Sequence, residues 1–238
     1  MARGTTTDVT YSGATIIAQA FDWAGIYGPE DPIPAEKQAS ALKKLEMMIK
    51  VWQGSPNILT RGLKIWQRER ASLTLSAKIS FDLQLSGGDL DINPPVSIKT
   101  AMLKTTDDEE TPIDVGMTFE EFEAIPNKTE TGTPSRIYYE RQYDKGVLYL
   151  DIIPDDITNV IDLVYLRPLY DFDAATNDPD FPQHWLEALY MNLGLRIMPG
   201  FGKEPSRTQE EQADTALALA QTFYPETTNI FFEPDRGD

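Results

Sequence analysis

Residues 73–85 alternate strictly: Leu73, Leu75, Ala77, Ile79, Phe81, Leu83 and Leu85 are separated by Thr74, Ser76, Lys78, Ser80, Asp82 and Gln84. A strand turns successive side chains to opposite faces, so this run demands a sheet with one covered and one wet side. The spacing predicts one long strand that stops at Gly87-Gly88. Further strands are expected at 96–103, 136–143, 147–153 and 159–167. Asp144-Lys145-Gly146 reads as a hairpin turn between two of them. Thr118 with Glu121 three residues on has the form of a capping box, which predicts a short helix over 119–125.

Outside this middle the apolar period is helical. Ser12 is a good N-cap for a first helix ending near Gly25, and Gly28-Pro29-Glu30-Asp31-Pro32 cannot continue it. Pro34 suits the first turn of a second helix. There Gln38, Leu42, Leu45, Ile49 and Trp52 recur at helical spacing, with Lys43, Lys44 and Lys50 off the stripe. Trp52 is expected in the core or at a subunit contact. Helix returns after Asp180-Phe181-Pro182, where Leu186, Leu189, Leu193 and Ile197 form a stripe ending at Pro199-Gly200. Ser206 with Gln209 caps a last helix, whose face is expected to carry Ala213, Leu217, Ala220 and Phe223 or Tyr224 before Pro225.

Each terminal pair of helices is too small for its own core. The reading is therefore an α+β fold. It has a four-helix layer built from both chain ends (1–57 and 180–225) and a β-rich, sandwich- or barrel-like insertion (58–179). A tail over 226–238 completes the chain. The ends of such an insertion must lie close together.

Little here points to catalysis. The chain has 238 residues and no cysteine, which removes disulfides, thiol nucleophiles and cysteine-ligated metals. His184 is the lone histidine and stands at a helix start, so a Ser-His-Asp triad or a multi-histidine zinc site is not expected. Phe201-Gly202-Lys203-Glu204-Pro205-Ser206 lacks the spacing of a phosphate loop, and Asp107-Asp108-Glu109-Glu110 lacks that of a calcium loop. No enzyme activity, cofactor or metal is expected.

The net charge is −17, opposite in sign to the footprint of most nucleic-acid binders. It is uneven. Residues 41–70 carry seven basic and two acidic side chains; residues 101–160 carry five basic and fourteen acidic ones. The basic residues Lys43, Lys44, Lys50, Arg61, Lys64, Arg68 and Arg70 form a candidate interface. Such oppositely charged segments suit the two different faces of a head-to-tail contact. The first apolar patch, near Ile16-Ile17, is short and mixed with polar residues, and no stretch reaches about 18 apolar residues. A cytosolic site of synthesis and no membrane partner are expected.

The order of elements, with Leu45-Glu46-x-Met48-x-x-x-Trp52 in the second helix, resembles the head-to-tail adaptor proteins of short-tailed phages. That family includes packaged-DNA stabilisation proteins and related tail-tubular ring proteins. Phe122 through Pro126-Asn127-Lys128, Gly132-x-Pro134, Tyr138-Tyr139 and Leu150 through Pro154 fit the same pattern. So do Tyr165-x-Arg167 and Asp180-x-Pro182 leading into Ala188-Leu189.

The resemblance implies a structural virion component, made in the host cytoplasm and located in the neck. Its partners would be the portal protein above, a tail nozzle or tube protein below, and further copies of itself in a ring, commonly of twelve. The ring would extend the DNA channel and let double-stranded DNA pass without specific binding. The helical layer would form the ring body, and the C-terminal tail, with Ile230, Phe231 and Phe232, would dock on the portal. The alternatives are a tail-tube ring protein further from the portal, a tail-associated cell-wall hydrolase using paired carboxylates, and a DNA-binding module centred on 41–70.

Overall fold

The computed structural model describes residues 11–54 and 67–222. The chain is α+β and divides into two compact units. One is helical and made from both chain ends; the other is continuous, from Trp66 to Leu169. The β unit therefore lies inside the 58–179 bounds expected from sequence. Residues 170–179 belong to the helical unit, where the Gly13 and Ala14 amides donate to the Asn177 and Ala175 carbonyls at 2.9 and 2.6 Å.

In the helical unit, α1 (Gly13–Trp23) begins where the Ser12 hydroxyl accepts from the Thr15 amide. It ends in a Schellman turn. Gly25 takes φ +63°, its amide donates to Asp22 O at 2.8 Å, and the Ile26 amide reaches back to Phe21 O at 3.0 Å. Helix α2 (Ala35–Gly54) starts just after Pro34, whose carbonyl accepts from the Lys37 and Gln38 amides.

The buried stripe of α2 is Ala41, Leu45, Met48, Ile49 and Trp52. Gln38 and Leu42, expected on that stripe, are only half-buried. The packed face keeps Leu45, Ile49 and Trp52 of the expected stripe and adds Ala41 and Met48 beside them. Trp52 is buried, as its place in the pattern requires.

A 3-10 turn, Gln183–Trp185, leads into α4 (Leu186–Ile197), against which α1 and α2 both pack. Leu186, Leu189, Leu193 and Ile197 are all buried, as expected. Trp185 is fully buried, its ring 6.0 Å from that of Trp52 and 5.7 Å from that of Phe181. Gly194 is required by close approach: a Cβ there would stand 2.6 Å from the Trp23 ring.

After a second 3-10 turn, Met198–Phe201, helix α5 (Arg207–Thr222) also packs on α4. The Ser206–Gln209 capping box closes in both directions, at 3.0 and 3.3 Å. Its buried row is Ala213, Ala216 and Ala220, with Leu217 half-buried. Phe223 and Tyr224 lie outside the described residues. The small side chains bring α5 close enough for the Asn192 amide on α4 to donate to Ala213 O at 3.2 Å.

The β unit contains β1 (Arg68–Thr74), β2 (Ser80–Leu83), β3 (Ser97–Lys104), β4 (Glu110–Ile113), α3 (Phe119–Glu123), β5 (Thr131–Gly132), β6 (Ile137–Arg141), β7 (Gly146–Leu150), β8 (Ile153–Pro154) and β9 (Val160–Leu166). One antiparallel sheet has the order β1-β9-β3-β4, a second the order β2-β7-β6; β5 and β8 pair separately in parallel. Side chains from both larger sheets meet in one core: Leu73, Leu103, Ile161 and Leu163 from the first, Phe81, Ile137, Leu148 and Leu150 from the second. This is sandwich-like packing, and no described sheet closes into a barrel. Its first and last strands are partners, with Arg68 opposite Leu166, and the Arg167 amide donates to Gln67 O at 2.9 Å across the neck.

The thirteen-residue alternation is not the one long strand expected from it. β1 ends at Thr74 and β2 begins at Ser80, in the other sheet. Leu73, Leu75, Phe81 and Leu83 are all buried because both strands face the same core from opposite sides. Between them the Lys78 amide donates to Ser76 O at 2.7 Å as the chain crosses over. The sequence alternation runs on through the crossing, although Ala77 there is exposed, so it could not reveal the break. Leu85, the last apolar position of the run, is exposed.

Candidate interaction surfaces

The proposed tail contact, Ile230, Phe231 and Phe232, lies outside the described residues, as do Arg61 and Lys64. The remaining basic residues divide between the units: Lys43, Lys44 and Lys50 on α2, Arg68 and Arg70 on β1. They are not equivalent. Lys44 Nζ donates to Arg196 O at 3.1 Å, satisfying a carbonyl in the last turn of α4. Lys50 pairs with Asp171 at 2.7 Å, both side chains about half exposed. Lys43 is exposed, on the same outer face of α2 as Met47 and Val51.

Arg68 and Arg70 point outward from β1, as strand alternation requires. The outer face of that sheet has an open depression of about 350 Å³, lined by Arg70, Ser72, Thr100, Met102, Glu110 and Asp162. Ser72 donates to Asp162 within it. Its charges are mixed, so it makes no anion site.

His184 lies in the 3-10 turn before α4, its ring 6.4 Å from that of Trp185. Partial burial holds its pKa below the usual imidazole value. Among the described residues no group of three histidine, aspartate or glutamate side chains could hold a metal. No described helix is long and apolar enough to cross a membrane. The Asp107–Glu110 carboxylates occupy the β3–β4 turn, where Asp108 pairs with Lys104 at 2.8 Å.

The most distinctive surface is an aromatic one that the sequence reading did not single out. The capping box at Thr118 and Glu121 is complete and starts α3 over the outer side of the β2-β7-β6 sheet. Phe122 is buried there, 4.8 Å from the Tyr149 ring, and Tyr138 stacks on Tyr149 at 5.7 Å. Phe119 extends the cluster, 6.1 Å from Tyr138 and 51% exposed. Carboxylates frame the rings. The Tyr149 hydroxyl donates to Glu140 at 3.4 Å. Burial, then the charges of Glu140 and Glu120, push the Tyr138 phenol above its ordinary pKa.

Part of the cluster is already occupied by a cation. Lys128 Nζ sits 4.4 Å above the Phe122 ring and pairs with Glu123 at 3.0 Å. The usable signal in the sequence was register. A hairpin turn at Asp144-Lys145-Gly146 sets Tyr138 opposite Tyr149 and Glu140 opposite Val147. All four residues then point away from the core.

The chain matches no protein-family model, and no curated protein is found similar to it.

Proposed function

We propose that the protein is a structural virion component: a ring-forming head-to-tail adaptor that docks under the portal, extends the DNA channel and supports the tail nozzle or tube. The observation that carries the reading is the chain order. Two helices, an inserted β unit whose first and last strands pair, and two more helices follow the order on which the resemblance to phage adaptors rests. The charge of −17 suits a channel that passes DNA without gripping phosphates. The same charge keeps free subunits apart until a portal gathers them.

On this reading the protein has no catalytic role, and the C-terminal Ile230, Phe231 and Phe232 dock on the portal. The test is electron cryomicroscopy of the purified protein mixed with its own virus's portal-bearing heads. A ring of density seated directly on the portal supports the assignment. Density only further along the tail moves the protein to the tail-tube alternative, and no binding overturns the reading. Duplex affinity tighter than about 1 μM at physiological salt also counts against it. So does peptidoglycan cleavage that a single Asp or Glu substitution abolishes.

A further inference from the structure

We propose that the open half of the aromatic–acidic patch on the β unit receives the outer face of α2 from a second copy of this chain. The inference rests on the ring reading above and names one contact within it. On α2, Lys43, Met47, Lys50 and Val51 are spaced to share one face. Met47 is 67% exposed and Val51 59%, high values for large apolar side chains on a folded surface. This face is basic and apolar together. Lys50 already leans on Asp171, but an ammonium has three donors and its side chain stays about half exposed.

The patch has the complementary chemistry. Phe119 and Tyr138 offer ring faces, and Glu120 and Glu140 place carboxylates beside them. The Lys128 arrangement shows how the cluster treats a cation: ammonium over a ring, charge met by the neighbouring carboxylate. A second lysine approaching from outside would find the same pair of groups. Its methylene stem, with Met47 and Val51, would cover the Phe119 edge.

Every copy carries both faces, and the faces differ. The contact is therefore heterologous and propagates from copy to copy rather than ending at a dimer.

The cysteine-free chain makes the test clean. Ser40 and Ala124 are exposed, adjoin the two faces and are not themselves among the contacting side chains. The full chain with Ser40→Cys and Ala124→Cys, treated with a short bis-maleimide, should give a ladder of cross-linked oligomers. Either single variant should give none.

Adding Lys43→Glu should weaken the ladder about fivefold, the scale of one exposed ion pair. Mixing Lys43→Glu chains with chains carrying Glu120→Lys should restore cross-links between them. No ladder from the double variant overturns the proposal, and so does strong dimer formation by Ser40→Cys alone. A ring on portals without a ladder removes this contact and leaves the adaptor reading standing. A ladder without portal binding does the reverse.

Discussion

In the helical unit the packed faces hold many small side chains: Ala20, Ala41, Ala188, Ala213, Ala216 and Ala220 are buried, and Gly194 admits the Trp23 ring. In the β unit the core is almost free of small side chains: among the described residues Ala101 is its one buried alanine, and Leu73, Phe81, Leu83, Leu103, Leu148, Ile161 and Leu163 fill it. The difference follows from the kind of element: helices can approach one another across small side chains, whereas two facing sheets stand about 10 Å apart and need large side chains between them. The β unit is one continuous stretch, and its strands reach a common core by turning back on their neighbours. The helical unit must join two segments separated by more than a hundred residues, at the cost of closing that loop. Close backbone approach, with its many dispersion contacts, compensates for the smaller apolar area each alanine buries. The helical unit should therefore fail through a few large, central side chains, the β unit more evenly.

The largest expected effect is Trp185→Ala. Its fully buried ring joins the start of α4 to Trp52 on α2, and its loss should cost about 3–5 kcal/mol. Amide exchange should rise across α1, α2, α4 and α5 while the strands stay protected. Equal loss of protection in the strands would mean that the units unfold as one.

Leu163→Ala in β9 is the counterpart, costing about 2–5 kcal/mol and felt mainly in the β unit. Next comes Gly194→Ala. The added methyl meets the Trp23 ring and should cost about 1–3 kcal/mol, read as a lower melting temperature. A stabilised variant would show that α1 can retreat without loss, against the close-packing account.

Thr118→Ala removes one arm of the capping box and should cost about 1 kcal/mol, loosening α3 and the aromatic patch. Near-ultraviolet circular dichroism of the clustered tyrosines would report it.

The smallest effect is with pH. Burial pushes the Asp89 carboxyl up, but its hydrogen bonds to Lys78 and to the Asp82 amide outweigh this and hold it below the ordinary aspartate range. A depressed folded pKa gives stability that is present above the unfolded value and lost as pH falls through the folded one. The part of the acid-side fall in melting temperature that Asp89 contributes should therefore appear only below about pH 4. It should shrink in Asp89→Asn.

Local signals carried much of the fold. Ser12, Thr118 and Ser206 each cap the helix they announce, because capping is settled within four residues. The turn at Asp144-Lys145-Gly146 likewise declares its hairpin: the Gln142 amide donates to Lys145 O at 2.9 Å. What stayed hidden was non-local. Nothing between Leu73 and Leu85 says that the chain changes sheets, because two opposed sheets demand the same inward period. That Ala41 and Met48 are buried while Leu42 is only half-buried depends on which neighbours α2 meets, and α2 alone does not state them. The aromatic patch gathers Phe119, Phe122, Tyr138 and Tyr149 from three elements, and only their register unites them.

The pairing of β1 with β9 also fixes how the β unit carries mechanical load. The chain enters at Gln67 and leaves at Arg167, on neighbouring strands about 4.8 Å apart that run in opposite directions. A pull on these two points does not shear the ladder; it lies along the hydrogen bonds, which run perpendicular to the strands. The neck bond between Arg167 and Gln67 breaks first, then the rungs from Arg68–Leu166 toward Thr74–Val160, one at a time. Tension along the backbone therefore opens this unit like a zipper at low force, and β1 peels away while β9 keeps its pairing with β3.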